Sequence, residues 1–157
     1  MIRDYEPARD ADAVRACIVE LQEYERNLEP SLPPGEEMAE AYRRVILQRC
    51  AKHAGRIFVV EVDRVVVGFV AVLGRVEPEA PDEEQVPYAY VSDLVVLPTC
   101  RGKGLGRKLL ERAEAFACSS GVRVFQIGVL SRNESAARLY RDFGFGDFRI
   151  QMVKRLE

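Results

Sequence analysis

The N-terminal third of the chain carries two stretches in which apolar residues recur every three or four positions. The first begins near Pro7 and Asp10, after a short segment from Ile2 to Tyr5, and the second runs from Glu36 to Lys52. This spacing is typical of amphipathic helices. Prolines interrupt the pattern between Asn27 and Gly35. The pattern therefore predicts a short first strand and two helices separated by an irregular connection.

The middle of the chain is rich in β-branched residues, which favour strands. Two such runs, Ile57 to Val62 and Val65 to Val76, are joined by Asp63-Arg64, a spacing typical of a two-residue hairpin. Gly68 interrupts the second run and indicates a bulge. A third run extends from Tyr88 to Leu97. The sequence therefore predicts three consecutive strands in this region.

Helical and extended patterns alternate in the C-terminal third. Helical spacing from Leu105 to Ala117 is followed by an apolar run from Arg123 to Leu130, by a helix from Asn133 to Phe143 and by alternation from Arg149 to Leu156. Together these elements predict an α/β (α+β) fold, in which a single mixed, mostly antiparallel central sheet is flanked by helices on both faces. Because no linker or repeat divides the pattern, residues 1–157 are expected to form a single domain.

Composition narrows the class of protein. The chain has 157 residues, of which 48% are apolar and 31% charged, with a net charge of −2, as expected of a soluble globular protein without a nucleic-acid partner. No apolar run has membrane-spanning length, and the N-terminus lacks the core of a signal peptide, so no membrane association is expected. The four cysteines are widely spaced, which predicts neither a disulfide framework nor a metal site and favours a reducing cytoplasm.

A glycine-rich turn, Arg101 to Lys108, lies between the predicted strand that ends at Leu97 and the next helix. Glycines at alternate positions let the backbone approach a ligand closely, and the following helix N-terminus attracts anions. The turn is not a Walker A loop, because Gly106 is followed by Arg107 and Lys108. It also lacks the glycine spacing of a dinucleotide-binding loop. A phosphate-binding turn of another kind is therefore indicated.

The pattern Arg-x-x-Gly-x-Gly, formed by Arg101, Gly104 and Gly106 after the strand Asp93–Pro98, resembles the pyrophosphate loop of the GCN5-related N-acetyltransferase (GNAT) family. The resemblance implies a GNAT-like acyl-CoA N-acyltransferase fold with acetyl-CoA as the cosubstrate. It also implies that the turn binds the cosubstrate through Arg101, Gly102, Lys103, Gly104, Leu105, Gly106 and Arg107.

A second motif supports the resemblance. Asn133, Ala136 and Tyr140, followed by Gly144-Phe145, match the family's C-terminal pattern, in which an Asn opens a helix and a Tyr follows two turns later. The resemblance implies that Asn133 and Ala136 contact the cofactor and that Tyr140 is the catalytic acid that protonates the departing thiolate. With both motifs, the resemblance covers residues 91–146.

The family's chemistry assigns further roles on the strand before the turn. Acyl transfer forms an oxyanion, which needs a nearby donor, and the matching backbone is that of Leu94, Val95 and Val96. Asp93 is the candidate base for the incoming amine, because Ser92 stands where some members carry Glu. Two tyrosines on the same strand, Tyr88 and Tyr90, are candidates for lining the acceptor pocket.

These observations favour an N-acetyltransferase that acts on a primary amine by direct attack in a ternary complex. The alternatives are a catalytically silent CoA-binding regulatory domain and an unrelated nucleotide- or nucleic-acid-binding module. An acidic segment, Glu77–Glu84, is expected to border the acceptor entrance and to favour a cationic amine. The acceptor stays open between a small amine, an aminoglycoside-like compound and a protein lysine or N-terminus, and so does the choice between monomer and homodimer.

Overall fold

The computed structural model describes residues 1–157 and has one five-stranded sheet in the order β1-β2-β3-β4-β5. The strands are β1 (Ile2–Asp4), β2 (Arg56–Val62), β3 (Val65–Val76), β4 (Tyr88–Val96) and β5 (Val124–Ile127). The helices are α1 (Pro7–Leu28), α2 (Gly35–Lys52), α3 (Leu105–Ser119) and α4 (Glu134–Phe143). The first four strands pair antiparallel with their neighbours, and β5 is parallel to β4. None of the helices combines the length and the apolar character needed to cross a bilayer.

Two hydrophobic clusters cover the two faces of the sheet. One joins α1 and α2 to one face through residues such as Ile18, Ile46 and Phe69. The other joins α3 and α4 to the opposite face through residues such as Leu109 and Tyr140. The predicted mixed, mostly antiparallel sheet with helices on both faces is therefore confirmed.

The hairpin between β2 and β3 forms as predicted. Asp63 and Arg64 have φ values of 50° and 65°, the left-handed conformation that a two-residue turn of this kind requires. The strand register shifts beside Gly68, where a bulge was expected. A Cβ at Gly68 would lie 2.4 Å from the carbonyl oxygen of Val95 on β4, so close approach of the two strands requires a glycine there.

A second bulge lies at Ser92 in the middle of β4. Val72 pairs with Val91 and Ala71 pairs with Asp93, so Ser92 has no partner on β3. An extra residue in one strand reverses the faces of the side chains that follow it. Val91 accordingly packs in the cluster under α3 and α4, whereas Val95 packs in the cluster under α1 and α2.

The pairing between β4 and β5 covers only part of β4. It ends where Val91 pairs with Ile127, and β4 then continues to Val96 without a neighbour on that side. The two chain segments, Ser92–Val96 and 128–130, therefore bound a wedge-shaped gap in the sheet, which we call the β4–β5 wedge.

Of the two strands predicted near the C-terminus, one is shorter than predicted and the other is absent. The predicted strand from Arg123 to Leu130 shortens to β5, and the alternating segment Arg149–Leu156 forms no strand. Its apolar side chains are exposed by 73% or more, among them Ile150 and Met152. Alternation of apolar and polar residues gives a segment two different faces, but a strand also needs a neighbouring strand as its hydrogen-bonding partner. No backbone hydrogen bond joins this segment to β5.

Candidate functional site

The glycine-rich turn presents a run of unpaired backbone donors. None of the six N–H groups from Gly102 to Arg107 donates a hydrogen bond to another group of the protein. Gly102 and Gly104 have φ values of 73° and 75°, so the turn depends on residues that adopt left-handed backbone readily. Gly104 also stands at the N-cap of α3. Free amides and the positive end of a helix dipole at one place form a site for an anion such as a phosphate.

Two different structural requirements explain the glycines of the turn. A Cβ at Gly102 or Gly104 would meet no protein atom within 4 Å, so both glycines line an open surface. A Cβ at Gly106 would lie 3.2 Å from the side chain of Leu139 on α4. Gly106 therefore permits α3 to pack against α4, while the first two leave room for a ligand beside the backbone.

The cations of the turn differ in availability. Arg101 donates from Nε to the Val96 carbonyl at 2.9 Å, and its guanidinium lies 4.9 Å from the ring centroid of Tyr24 on α1. Arg107 pairs with Glu111 at 3.2 Å on its own helix. Lys103 is exposed and forms no salt bridge. Lys103 is thus the cation best placed to meet a phosphate, and Arg101 connects the turn to β4 and α1.

The register of β4 decides which of its backbone groups face the β4–β5 wedge. The N–H of Leu97 donates to the Val67 carbonyl of β3 at 2.8 Å. Backbone N–H and C=O groups along an antiparallel strand alternate in direction. Those of Val95 therefore also point to β3, whereas the backbone groups of Leu94 and Val96 point into the wedge. The Val96 carbonyl is bound by Arg101, which agrees with this assignment. Of the three candidate oxyanion donors, the N–H groups of Leu94 and Val96 are therefore directed into the gap.

The start of α4 lies beside the same gap. Asn133 is the N-cap of this helix, and its Oδ1 accepts a hydrogen bond of 3.1 Å from the N–H of Ala136. Asn133 is only 7% exposed, and its own N–H donates to the Leu130 carbonyl at 2.9 Å. Both interactions fix the start of α4. Tyr140 lies seven residues after Asn133, two helical turns later on the same helix face.

Tyr140 is buried but its hydroxyl is unpaired. The ring packs edge-on against Phe145 with a centroid distance of 6.2 Å, and the side chain is 8% exposed. Burial raises the pKa of Tyr140 to about 12, and the negative charges of Glu25 and Asp93 add to the rise. The phenol therefore remains protonated at neutral pH and can donate a hydrogen bond or a proton to a group within the site.

Asp93 lies on the α1 and α2 side of the sheet because of the bulge at Ser92. Its two carboxylate oxygens accept hydrogen bonds from the Tyr42 hydroxyl at 2.8 Å and from the Ser92 hydroxyl at 2.7 Å. Burial nevertheless raises the pKa of Asp93, although these two donors and Arg49 act in the opposite direction. The site therefore contains a desolvated carboxylate. Tyr42, on α2, is a further residue of this candidate site that the sequence patterns did not identify.

Glu25 on α1 is the second residue that the patterns missed. It is half-buried, and burial raises the pKa of its carboxyl, with a further rise from the charge of Asp93. Its charge in turn raises the pKa of Tyr140. Helical spacing in the sequence could have identified Glu25. It lies seven residues after the buried Ile18 and therefore on the same face of α1, which packs against the sheet.

The other candidates lie around this centre. The Tyr90 hydroxyl is 2.9 Å from the position of a Cβ on Gly128, across the mouth of the β4–β5 wedge, and burial followed by the charge of Asp93 raises the pKa of Tyr90. Burial raises the pKa of Tyr88, with further rises from Glu83 and Glu79. The acidic segment therefore lies beside the start of β4, close enough to act on the site electrostatically.

Known proteins resemble the chain in sequence. The model of the Acetyltransferase (GNAT) family matches residues 20–145. An IAA acetyltransferase from Azospirillum brasilense is 34% identical over 136 residues, which cover 87% of this chain and 78% of that protein. A thialysine N-epsilon-acetyltransferase from Mus musculus is 34% identical over 58 residues, or 37% of this chain and 34% of its own length. The chain spans about half the length of an uncharacterized N-acetyltransferase, YycN, from Bacillus subtilis, at 32% identity over 51% of this chain.

Solved structures resemble it in fold. A mutant of the BH1408 protein from Bacillus halodurans superposes with a TM-score of 0.77 at 23% identity, covering 100% of this chain and 99% of that one. The aminoglycoside acetyltransferase AAC(6')-Iy, in complex with a CoA bisubstrate analog, gives a TM-score of 0.71 at 20% identity, covering 100% and 97%. The family match over most of the chain and the relative aligned along 87% of it establish that the chain belongs to the GNAT family of acetyltransferases.

Proposed function

We propose that the protein transfers the acetyl group of acetyl-CoA to a primary amine by direct attack in a ternary complex. The observation that carries the proposal is the run of unbonded amides from Gly102 to Arg107 at the edge of the β4–β5 wedge. In the proposal the pyrophosphate accepts from these amides and meets Lys103. The thioester then extends into the wedge between β4 and the start of α4, bordered there by Asn133 and Ala136.

The residues around the wedge supply what acyl transfer needs. The amine nitrogen attacks the thioester carbonyl, and the oxyanion accepts hydrogen bonds from the backbone of Leu94 or Val96. When the carbon–sulfur bond breaks, the thiolate takes the proton of the Tyr140 hydroxyl. The resulting phenolate then accepts the remaining ammonium proton of the new amide nitrogen. Tyr140 is therefore regenerated within each turnover.

The incoming amine must lose a proton before it attacks. Asp93 is the proposed acceptor of that proton. Because both of its oxygens already accept hydrogen bonds, the proton reaches it through the Tyr42 hydroxyl, which accepts from the ammonium while it donates to Asp93. The raised pKa of Asp93 improves it as a base at neutral pH.

The acceptor is proposed to be a small-molecule amine, with a protein lysine or N-terminus as the other class. Relatives are named for thialysine and IAA, and the structural neighbours include an aminoglycoside acetyltransferase. The carboxylates of Asp93 and of the segment Glu77–Glu84 favour a cationic acceptor. Residues 1–157 act in this proposal as one transferase domain in the cytoplasm, in keeping with four free cysteines.

Two measurements test the proposal. A thermal-shift comparison of CoA, ATP and duplex DNA should give stabilisation by CoA alone. Thiol release from acetyl-CoA should then depend on one or more members of a panel of primary amines. Stabilisation by CoA without turnover of any amine would favour the catalytically silent regulatory domain. Stabilisation by ATP or DNA instead of CoA would contradict both acetyl-CoA readings.

A further inference from the structure

The inward stripe of α1 contains two carboxylates that the fold treats differently. Asp10, Val14 and Ile18 lie on this stripe with 1% exposure each, and Glu25 continues it toward the end of the helix. Asp10 is bound by both guanidinium nitrogens of Arg3, at 2.7 and 2.8 Å. Glu25 forms no salt bridge and accepts no hydrogen bond through its side chain, although the nearby Glu23 pairs with Arg26 at 3.5 Å. Glu25 is thus an inward-facing carboxylate without a protein partner.

The surroundings of Glu25 increase the cost of that negative charge. The charge of Asp93, on β4, acts on Glu25, and both charges act on Tyr140 of α4, beside which Tyr90 also lies. From α2, Tyr42 donates a hydrogen bond to Asp93, and the exposed Arg49 lies near these two residues. Two carboxylates therefore share a partly desolvated space with three tyrosines. Like charges in such a space repel strongly, and a bound cation relieves both the repulsion and the lost hydration. The electrostatics of the site are completed by a ligand that carries a positive charge.

The position of Glu25 also suits a role in the reaction. The preceding residue, Tyr24, lies under the Arg101 guanidinium at 4.9 Å, so this turn of α1 is held against the phosphate-binding turn. The same turn brings Glu25 close enough to the Tyr140 phenol to raise its pKa. A cation paired with Glu25 would consequently lie beside the place where the thioester sulfur is proposed to leave.

We propose that Glu25 is the acceptor-binding carboxylate, which pairs with the protonated amine and favours amines that are cations in solution over neutral ones. The proposal rests on the acetyl transfer proposed above and names the acceptor class of that same site. Glu25 makes charge-assisted hydrogen bonds to the ammonium. The proton that must be lost passes to Asp93 through Tyr42, so Glu25 stays ionised and holds the nitrogen in line with the thioester carbon.

The test compares two acceptors of different charge. Butylamine is a cation at pH 7, whereas methoxyamine is a neutral nucleophile at the same pH. Glu25→Gln should raise KM for butylamine by at least about 10-fold, which is about 1.4 kcal/mol of binding, and leave KM for methoxyamine unchanged. Glu25→Asp should restore part of the loss. An equal effect on the two acceptors, or no effect on either, would overturn the proposal.

Glu20→Gln is the matched control. Glu20 lies on the exposed side of the same helix, so this variant has the same change of net charge without a change in the site. It should keep the KM of the wild type for both acceptors, and a rise equal to that of Glu25→Gln would contradict a local role for Glu25. Unfolding temperatures of both variants are compared with wild type, and a collapse of Glu25→Gln alone would assign Glu25 to the fold.

Binding separates this proposal from the acetyl-transfer proposal. Calorimetric titration of butylamine into the CoA-saturated protein should give at least about 10-fold weaker binding for Glu25→Gln than for wild type and Glu20→Gln. If wild type acetylates no amine yet this difference is found, acetyl transfer fails and the cation site stands. If wild type acetylates butylamine and binding is the same in all three proteins, the cation site fails and acetyl transfer stands.

Discussion

Tyr42 on α2 donates a hydrogen bond of 2.8 Å from its hydroxyl to the carboxylate of Asp93 on β4. The two side chains meet because the bulge at Ser92 turns Asp93 toward the α1 and α2 face of the sheet. In a regular strand of the same sequence, Asp93 would share the face of Val91 and point to the apolar cluster under α3 and α4, where a carboxylate would find no partner. An irregularity in one strand therefore determines which helix layer receives the buried charge.

The first prediction concerns the pH dependence of stability. Burial raises the pKa of Asp93 in the folded protein, so the folded state holds its proton more strongly than the unfolded state. Stability from this group is therefore largest at low pH and falls as pH rises from the ordinary carboxyl range through the raised pKa. Asp93→Asn removes this titration. The unfolding temperature of the variant, measured relative to wild type, should increase between about pH 4 and pH 7.

Only the pH dependence is diagnostic in that experiment. Asparagine offers one acceptor oxygen instead of two, so either the Tyr42 or the Ser92 hydroxyl loses its partner at every pH. Leu94→Ala, on the same strand, is a control that changes packing without changing a titrating group. A constant difference between Asp93→Asn and wild type across the pH range would contradict a raised pKa at Asp93.

The second prediction concerns cosubstrate binding by the glycine-rich turn. Gly104→Val places a branched side chain where the present glycine leaves open surface beside the free amides. It should weaken CoA binding by at least about 10-fold, or about 1.4 kcal/mol, as measured by calorimetry. Equal affinity in a folded variant would show that the turn is not the phosphate site.

Gly121→Val is a control for backbone strain. Gly121 has a φ of 76°, nearly the same as the 75° of Gly104, and it too would meet no atom within 4 Å. It lies in the turn after α3, at the other end of that helix from the glycine-rich turn. The two variants should lose similar amounts of stability, and only Gly104→Val should lose affinity for CoA.

Sequence patterns predicted most of the fold because they report local periodicity. The hairpin at Asp63-Arg64, the turn after β4 and the capped helix that begins after Asn133 all depend on residues adjacent in sequence. The segment Arg149–Leu156 has the alternation of a strand but no hydrogen-bonding partner. A pattern reports which faces a segment has, and only the fold reports whether a neighbouring strand is available for it.

The candidate site was predictable to the extent that it follows motifs. The turn around Gly104 and the helix carrying Tyr140 were identified from spacing and resemblance. Tyr42 and Glu25 were not, because each reaches the site from a helix whose residues are distant in sequence from β4. Asp93 was identified from the sequence as the candidate base. The face of the sheet to which its side chain points depends on the bulge at Ser92, and no single residue type in the sequence indicates that bulge.

The third prediction concerns the acidic segment Glu77–Glu84. Its charges lie near Tyr88, at the start of β4, and should attract a cationic acceptor electrostatically. Salt screens this attraction and shortens the distance over which it acts. Neutralising Glu79, Asp82, Glu83 and Glu84 together should raise KM for butylamine at low salt, and high salt should reduce the difference from wild type. Kinetics at two ionic strengths provide the measurement.

A control variant for the change in net charge has four exposed carboxylates neutralised elsewhere in the protein. The control variant changes side chains on α1, α2 and α3 by the same total charge, namely Asp12, Glu20, Glu37 and Glu114. It should leave KM close to that of wild type. If both variants raise KM equally, net charge accounts for the effect, and an unchanged KM in the first variant removes the segment from the acceptor entrance.

The last prediction concerns the Tyr140 hydroxyl. Tyr140→Phe keeps the ring that packs against Phe145, and the hydroxyl it removes forms no hydrogen bond within the protein. The unfolding temperature should therefore change little, and CoA affinity should be retained. The variant lacks the proton donor for the departing sulfur, so its kcat should be lower than that of wild type by about 10-fold or more, equivalent to about 1.4 kcal/mol of activation free energy.

The size and generality of that loss identify its cause. General-acid assistance is worth about 10²- to 10⁴-fold, but a thiolate leaves readily unaided, so a value at or below the low end is expected. Butylamine and the less basic methoxyamine should show the same deficit, because the defect lies at the sulfur and not at the attacking nitrogen. Glu25→Gln, in contrast, distinguishes these two acceptors. If Tyr140→Phe turns over at the wild-type rate while chemistry is rate-limiting, Tyr140 is a packing residue and water protonates the thiolate.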